Sequence, residues 1–326
     1  MIRRPFRFAC QAYRATSRKE WVELARRVES QGYSALHVAD HYIGPGPALE
    51  PTGHRVQTLA AIPAMAVAAE VTTTLRVGSR LFCVGYHQPV VLAKEAATLD
   101  LLSEGRLELG LGAGWLDREY TAMGLPFPSA LERIELLSET VDLIDQCFAG
   151  RPVELAGRQV RASGFTAVPA PVQSPRPPIM IGGGGRRVLT LAGEKADIVS
   201  INFNNASGTV GADSARTSTA EQTAAKVDWV RDGAGDRFDQ LELEIGAYFV
   251  AVRTAGGVGA AAADLGDRLQ LTPAQLAAFP HALTGSVEEI CETLQQRRDE
   301  FGLSYITVGS AVADSFAPVV ERLAGQ

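Results

Sequence analysis

The chain has 326 residues, 46% hydrophobic and 21% charged, ordinary globular proportions that exclude bulk disorder. Its 31 Lys and Arg against 37 Asp and Glu give a formal charge of −6, and without a basic run this excludes a general nucleic-acid binder. The length suits two domains or one closed α/β barrel.

Strand-like and helix-like patterns alternate along the chain. Residues 6–11 read as a strand. Ser17 and Glu20 then form a capping box, and Trp21, Leu24, Ala25 and Val28 share one helical face up to Gly32. The next elements are a strand at 33–39, a helix at 60–71, a strand at 75–83, a helix at 89–102 and a strand at 106–112. A helix capped by Ser129 and Glu132 carries Leu131, Ile134, Leu137, Val141 and Ile144. Residues 151–177, rich in Pro and Gly, read as an excursion. A short strand at 178–181 runs into four glycines and a helix through Leu191. A strand at 196–201 leads to a mobile loop at 203–217. Ser218 and Glu221 frame the next helix, and 241–252 is strand seven. Thr272-Pro273 starts a helix, Ser286 and Glu289 cap another, 304–308 is strand eight, and 316–323 closes the chain.

About eight β/α alternations imply a parallel sheet with right-handed crossovers, hence a (β/α)8 TIM barrel. We expect one domain over 1–326, with insertions near 151–177, 203–217 and 253–285. The second and third insertions are expected to form lid material. A doubly wound open sheet is the alternative. Cys10, Cys83, Cys147 and Cys291 make no CxxC pair and read as reduced thiols of a cytoplasmic protein. No signal-like apolar stretch or uncharged apolar run suggests export or membrane insertion.

In such a barrel the strand ends carry function. Gly182, Gly183, Gly184 and Gly185, followed by Arg186 and Arg187, suit a bound phosphate, because glycines admit a ligand to the backbone and the next helix offers unpaired N–H groups. A plain turn is the alternative. Gly110-Leu111-Gly112-Ala113-Gly114-Trp115 lacks the third glycine and the acidic residue of a dinucleotide fingerprint. Asp40-His41 at the rim suits proton transfer, or structural packing alone. His54, His87 and His281 stand singly and read as structural. No ligand spacing argues for a metal.

The chain resembles luciferase-like flavin and deazaflavin oxidoreductases, a (β/α)8 superfamily. The segments that carry the likeness are His37-Val38-Ala39-Asp40-His41-Tyr42, Leu92–Asp100 (LAKEAATLD), Gly105–Trp115 (GRLELGLGAGW), and 178–185 with Ala192–Asp197. The C-terminal half is similar to an actinobacterial subgroup that uses deazaflavin coenzyme F420. The resemblance implies hydride transfer between F420 and an apolar or aromatic organic substrate. It implies His41 as proton carrier with Asp40 orienting it, Trp115 completing the catalytic set, and a cis peptide at Ser79-Arg80 behind the ring. It further implies coenzyme contacts from Gln11, Ser79, Arg80, Ala113, Gly114, Gly182–Gly185 and Asn202, a homodimer, and a flavin or F420 reductase in the same pathway. Relatives that oxidise a sugar phosphate carry Glu where this chain has Trp115. They also carry Lys near Phe203-Asn204-Asn205, so a phosphorylated sugar is not expected. Tyr42, Trp115 and Phe203 suggest an aromatic pocket. The alternatives are an FMN-dependent monooxygenase and a flavin-binding paralogue without turnover.

Overall fold

A computed structural model describes residues 3–253 and 271–326. Its eight barrel strands are β1 (Arg7–Ala12), β2 (Ala35–Val38), β3 (Arg76–Ser79), β5 (Leu107–Gly112), β8 (Ile179–Gly183), β9 (Ile198–Ile201), β10 (Glu242–Ala247) and β13 (Leu303–Gly309). All are parallel to their neighbours, in the order β3-β2-β1-β13-β10-β9-β8-β5, and β3 pairs with β5 to close the ring. The strands are buried along nearly their whole length, as both faces of a barrel sheet require.

Helices α1 (Arg18–Ser30), α2 (Ala61–Glu70), α3 (Pro89–Leu102), α4 (Asp117–Ala122), α5 (Ala130–Phe148), α6 (Arg186–Lys195), α7 (Ala212–Arg216), α8 (Ala220–Ala234), α9 (Pro273–Ala277), α10 (Val287–Phe301) and α11 (Ala313–Leu323) follow the strands. The main apolar core lies between this helical shell and the sheet. A smaller cluster of Ala9, Ala35, Met180, Ile198 and Tyr305 fills the barrel interior, with Leu81 packed on it.

The open-sheet alternative is ruled out by the β3–β5 closure. The other differences from expectation lie at the strand ends. The run 75–83 is two strands, β3 and β4 (Phe82–Cys83), broken at a cis peptide. That bond is Arg80–Leu81, one residue beyond the expected Ser79-Arg80. The run 241–252 also divides. β10 stays in the barrel, while β11 (Phe249–Val252) leaves it to pair with β12 (Ala282–Gly285). Leu131 is 58% exposed rather than on the buried face of α5. The α8 cap is Thr219, which accepts from Gln222 N, and not Ser218. The excursion at 151–177 contains an antiparallel hairpin, β6 (Pro152–Ala156) with β7 (Arg161–Thr166). Residues 254–270 of the third insertion lie outside the described residues. No helix among the described residues is long and apolar enough to cross a membrane.

Candidate active site

The strand ends open into a cavity of about 1120 Å³. Of the expected site residues, Gln11, Asp40, His41, Arg80, Ala113, Gly114, Trp115, Gly182, Gly183, Gly184, Gly185 and Asn202 all line it. Ser79 does not. It is buried, and its Oγ donates to the Gly110 carbonyl at 2.7 Å, tying β3 to β5.

The glycine bed is a close-approach device. None of the four glycines has a left-handed φ, so a simple turn does not explain them. Space does. A Cβ on Gly182 would come within 2.5 Å of Leu81 Cδ1, and one on Gly184 would collide with the Phe203 carbonyl. A Cβ on Gly185 would meet open space. Gly185 is the N-cap of α6 and has no side chain to cap it, so the first N–H groups of that helix have no side-chain acceptor there. Arg186 and Arg187 line the same cavity. A bound anion would meet backbone donors and the positive helix end, with Arg187 nearby, whereas the Arg186 guanidinium lies 3.9 Å from Asp232.

The His41 imidazole is held by a carboxylate. Its Nδ1 lies 2.5 Å from Glu119 Oε2. The other oxygen of Glu119 accepts from Tyr42 N at 2.6 Å and Ile43 N at 3.3 Å, and Tyr86 Oη donates to Oε2 at 3.1 Å. Burial opposes charge on Glu119, but the hydrogen bond and charge of His41 and the two backbone donors hold its carboxyl below the usual range. A carboxylate there accepts the Nδ1 proton and leaves Nε2 of His41 for the cavity. Asp40 does not orient His41, contrary to expectation. Its Oδ2 accepts from Cys83 N and His87 Nε2, both at 2.9 Å, and so fastens the β2 loop to β4.

His54 is not a lone structural residue. Its ring centroid lies 4.0 Å from that of His41 and 5.8 Å from that of Trp115. Burial, and then the neighbouring His41, push its pKa down to about 3, so it is a neutral wall. Phe203 lines the cavity, but its ring belongs to a buried group with Tyr248 and His281. Tyr42 is 47% exposed, lies outside the cavity and packs near Tyr86 and His87.

The cavity floor is a buried polar network. Arg80 Nε donates to Glu244 Oε1 at 2.9 Å, and its Nη2 donates to Asn202 Oδ1 at 2.8 Å. Gln11 Nε2 donates to the Arg80 carbonyl at 3.2 Å, and Tyr248 Oη to Asn202 Oδ1 at 2.6 Å. Asn202 Nδ2 donates to Ser200. The Asn202 amide, expected to contact a coenzyme, is thus hydrogen-bonded to Arg80, Tyr248 and Ser200 while it lines the cavity. Leu81 stands above this floor. Its side chain fills the space a Cβ would need at Gly182 (2.5 Å), and it adjoins Gly110, where the Ser79 carbonyl is the nearer obstruction.

The barrel thus sets a glycine bed at a helix N-terminus on the same cavity as a carboxylate-held imidazole, the layout of a ligand-binding α/β-barrel protein. The chain belongs to the luciferase-like monooxygenase family, which it matches over residues 2–235. It is 31% identical over 180 residues to an F420-dependent glucose-6-phosphate dehydrogenase of Amycolatopsis mediterranei (strain U-32), covering 55% of this chain and 52% of that one. The chain thus spans about half the length of that relative. Its fold matches a coenzyme F420 dependent tetrahydromethanopterin reductase from Methanopyrus kandleri, with TM-score 0.75, 18% identity and 98% of both chains covered. It also matches the long-chain alkane monooxygenase LadA, with TM-score 0.76, 15% identity, and 99% and 92% covered. At these identities the two likenesses establish the fold alone.

Proposed function

We propose that the protein is an oxidoreductase that moves a hydride between coenzyme F420 and an organic substrate, with His41 moving the matching proton. The observation that carries this reading is the placement of the glycine bed and the His41–Glu119 pair on one cavity. The curated F420-dependent relative supports the choice of coenzyme. The residues fit a phosphate-bearing group: Gly182 and Gly184 leave no room for a side chain, and Gly185 faces open space. Gly184, Gly185, Arg186 and Arg187 would hold the phosphate, and Leu81 would back the flat head. When bound, the coenzyme gives or accepts a hydride at one ring carbon.

The protein's own part is positional. Glu119 holds the Nδ1 proton of His41, so Nε2 can take a proton from a substrate hydroxyl during oxidation or return one during reduction. Trp115 and His54 wall the substrate side and exclude water. Neither residue supplies a general acid, and no lysine follows β9 at Phe203-Asn204-Asn205, which speaks against a phosphorylated sugar. Lys226 Nζ approaches this loop but is buried, donating to the Asn202 carbonyl at 2.7 Å.

We also propose a single catalytic domain that pairs with a second copy. Val91, Leu101 and Leu102 of α3 are exposed, as are Val168 and Val172, and Lys94 of α3 donates to the Val168 carbonyl. Sedimentation would show the dimer. A reductase in the same pathway would regenerate the coenzyme.

Anaerobic titration with F420 and FMN side by side tests the main reading. Saturable F420 binding is expected, whereas tight FMN uptake with no response to F420 would reverse it. His41→Ala should lower turnover by about 10²–10⁴, the usual contribution of a positioned acid–base group, with coenzyme affinity unchanged. Full turnover in that variant removes His41 from the mechanism.

A further inference from the structure

The cavity extends well past the glycine bed. Strand β8 lies four places from β1 in either direction around the barrel, so the bed and the loop after β1 face each other across the mouth. On that far side Tyr13 follows β1, His54 and Arg55 lie in the loop between β2 and α2, and Gly309 ends β13. All four line the cavity. The Arg55 guanidinium lies 5.6 Å from the Tyr13 ring centroid, and one of its nitrogens lies 3.9 Å from where a Cβ on Gly309 would stand.

Arg55 is distinguished by what surrounds it. Arg80 is paired with Glu244. Arg133 donates to the carbonyls of Gly114 and Pro128. Arg186 lies 3.9 Å from Asp232, and Arg187 lines the cavity at the glycine bed, on the opposite side from Arg55. Arg55 is exposed in the opening, with no ion pair or hydrogen bond from its side chain among the described residues. Its neighbours do not neutralise it. Burial pushes the Tyr13 phenol up to about 12, and His54 is uncharged at neutral pH because its pKa is held near 3. Next to Arg55 the cavity is walled by flat rings, with His54, His41 and Trp115 in mutual contact. A guanidinium presents a planar fork that matches a carboxylate.

We propose that Arg55 determines specificity at the substrate end, and that the substrate is an organic carboxylate. Its acid group meets Arg55 beside Tyr13, and its flat apolar body lies along His54 and Trp115. The proposal rests on the hydride-transfer reading and gives that reading a substrate class.

The test uses 2-naphthoate and its uncharged counterpart 2-naphthamide as probes. Inorganic phosphate is present to fill the glycine bed, and dissociation constants are read by ligand-observed NMR. The wild-type protein should bind naphthoate at least about tenfold more tightly than naphthamide, the scale of one charge-assisted hydrogen-bonded contact. Arg55→Gln should abolish that preference, and Arg55→Lys should restore part of it. Coenzyme binding, followed separately by F420 absorbance, should be the same in all three proteins. The proposal is overturned if Arg55→Gln binds naphthoate as the wild type does, or if the wild type binds neither probe or both alike. Phosphate competing with naphthoate through Arg55 would also overturn it, by assigning Arg55 to the coenzyme. If the Arg55-dependent preference is present and F420 does not bind, the coenzyme reading fails and the carboxylate site stands.

Discussion

At the scale of single residues, the chemistry proposed for His41 depends on Glu119, a carboxylate on the short helix α4. Glu119→Gln tests this. A glutamine can still accept from Tyr42 N, but an amide N–H facing His41 would favour the tautomer with its proton on Nε2. Turnover should fall by about 10²–10⁴, as for loss of a correctly protonated base, while F420 affinity and melting temperature stay near wild type. Wild-type turnover would mean that the His41 tautomer does not matter. Asp40-His41 was legible in the sequence because adjacent polar residues at a barrel rim are conspicuous. Their division of labour was not. Glu119 is 78 positions away, on a six-residue helix whose N-cap, Leu116, makes no side-chain cap, so no local signal marks it. His54 and Arg55 were illegible for the same reason, since only the folded loop brings them to Trp115 and Tyr13.

At the scale of elements, the junction of β8 and α6 allows stability and binding to be separated. Gly184→Ala places a methyl against the Phe203 carbonyl and should cost about 1–3 kcal/mol, the range for overpacking, read as a lower urea midpoint. Gly185→Ala places its methyl in open space, at a residue that lines the cavity. It should leave the urea midpoint unchanged and weaken F420 binding. Equal coenzyme affinity in Gly185→Ala and wild type would show that the bed does not hold the phosphate.

Elements with strong local chemistry were readable in advance. The Ser129 and Ser286 capping boxes form, and Thr272-Pro273 starts a helix as read. Ser17 caps α1, but Glu20 accepts from Thr16 instead of closing the box. Helix α3 starts and stops where its Pro89 and periodicity place it. Breaks within apolar runs were not readable. Residues 75–83 and 241–252 are β-prone throughout, and the end of each strand is decided by barrel closure and by where the cavity begins.

At the scale of the whole molecule, the barrel interior carries an ionic group as well as apolar filling. Glu108, 1% exposed, pairs with Arg7, accepts from Tyr305 Oη at 2.8 Å and lies 3.4 Å from His37 Nε2. Burial opposes its charge, but Arg7 and the His37 hydrogen bond hold its carboxyl well below the usual range. Its folded value is therefore lower than its unfolded one. The resulting stabilisation is complete above about pH 4.5 and drains away as the pH falls below that. Glu108→Gln should cost about 3 kcal/mol at pH 7, as for breaking a buried pair, and urea melts should show less acid sensitivity than in the wild type. Parallel pH curves for the two proteins would place the acid-sensitive group elsewhere.

The contact between α6 and α8 has a further consequence. A Cβ on Gly193 would strike the Val230 carbonyl, and one on Gly233 the Thr190 carbonyl, so the two helices interlock backbone to backbone. The same α8 sends Lys226 to the Asn202 carbonyl and to Ser218 Oγ. One outer helix therefore indexes two neighbouring strand ends at once, like a key engaging two tumblers. A bulky residue at Gly233 would press on the Thr190 carbonyl and so shift α6, whose N-terminus adjoins the glycine bed, without touching that bed.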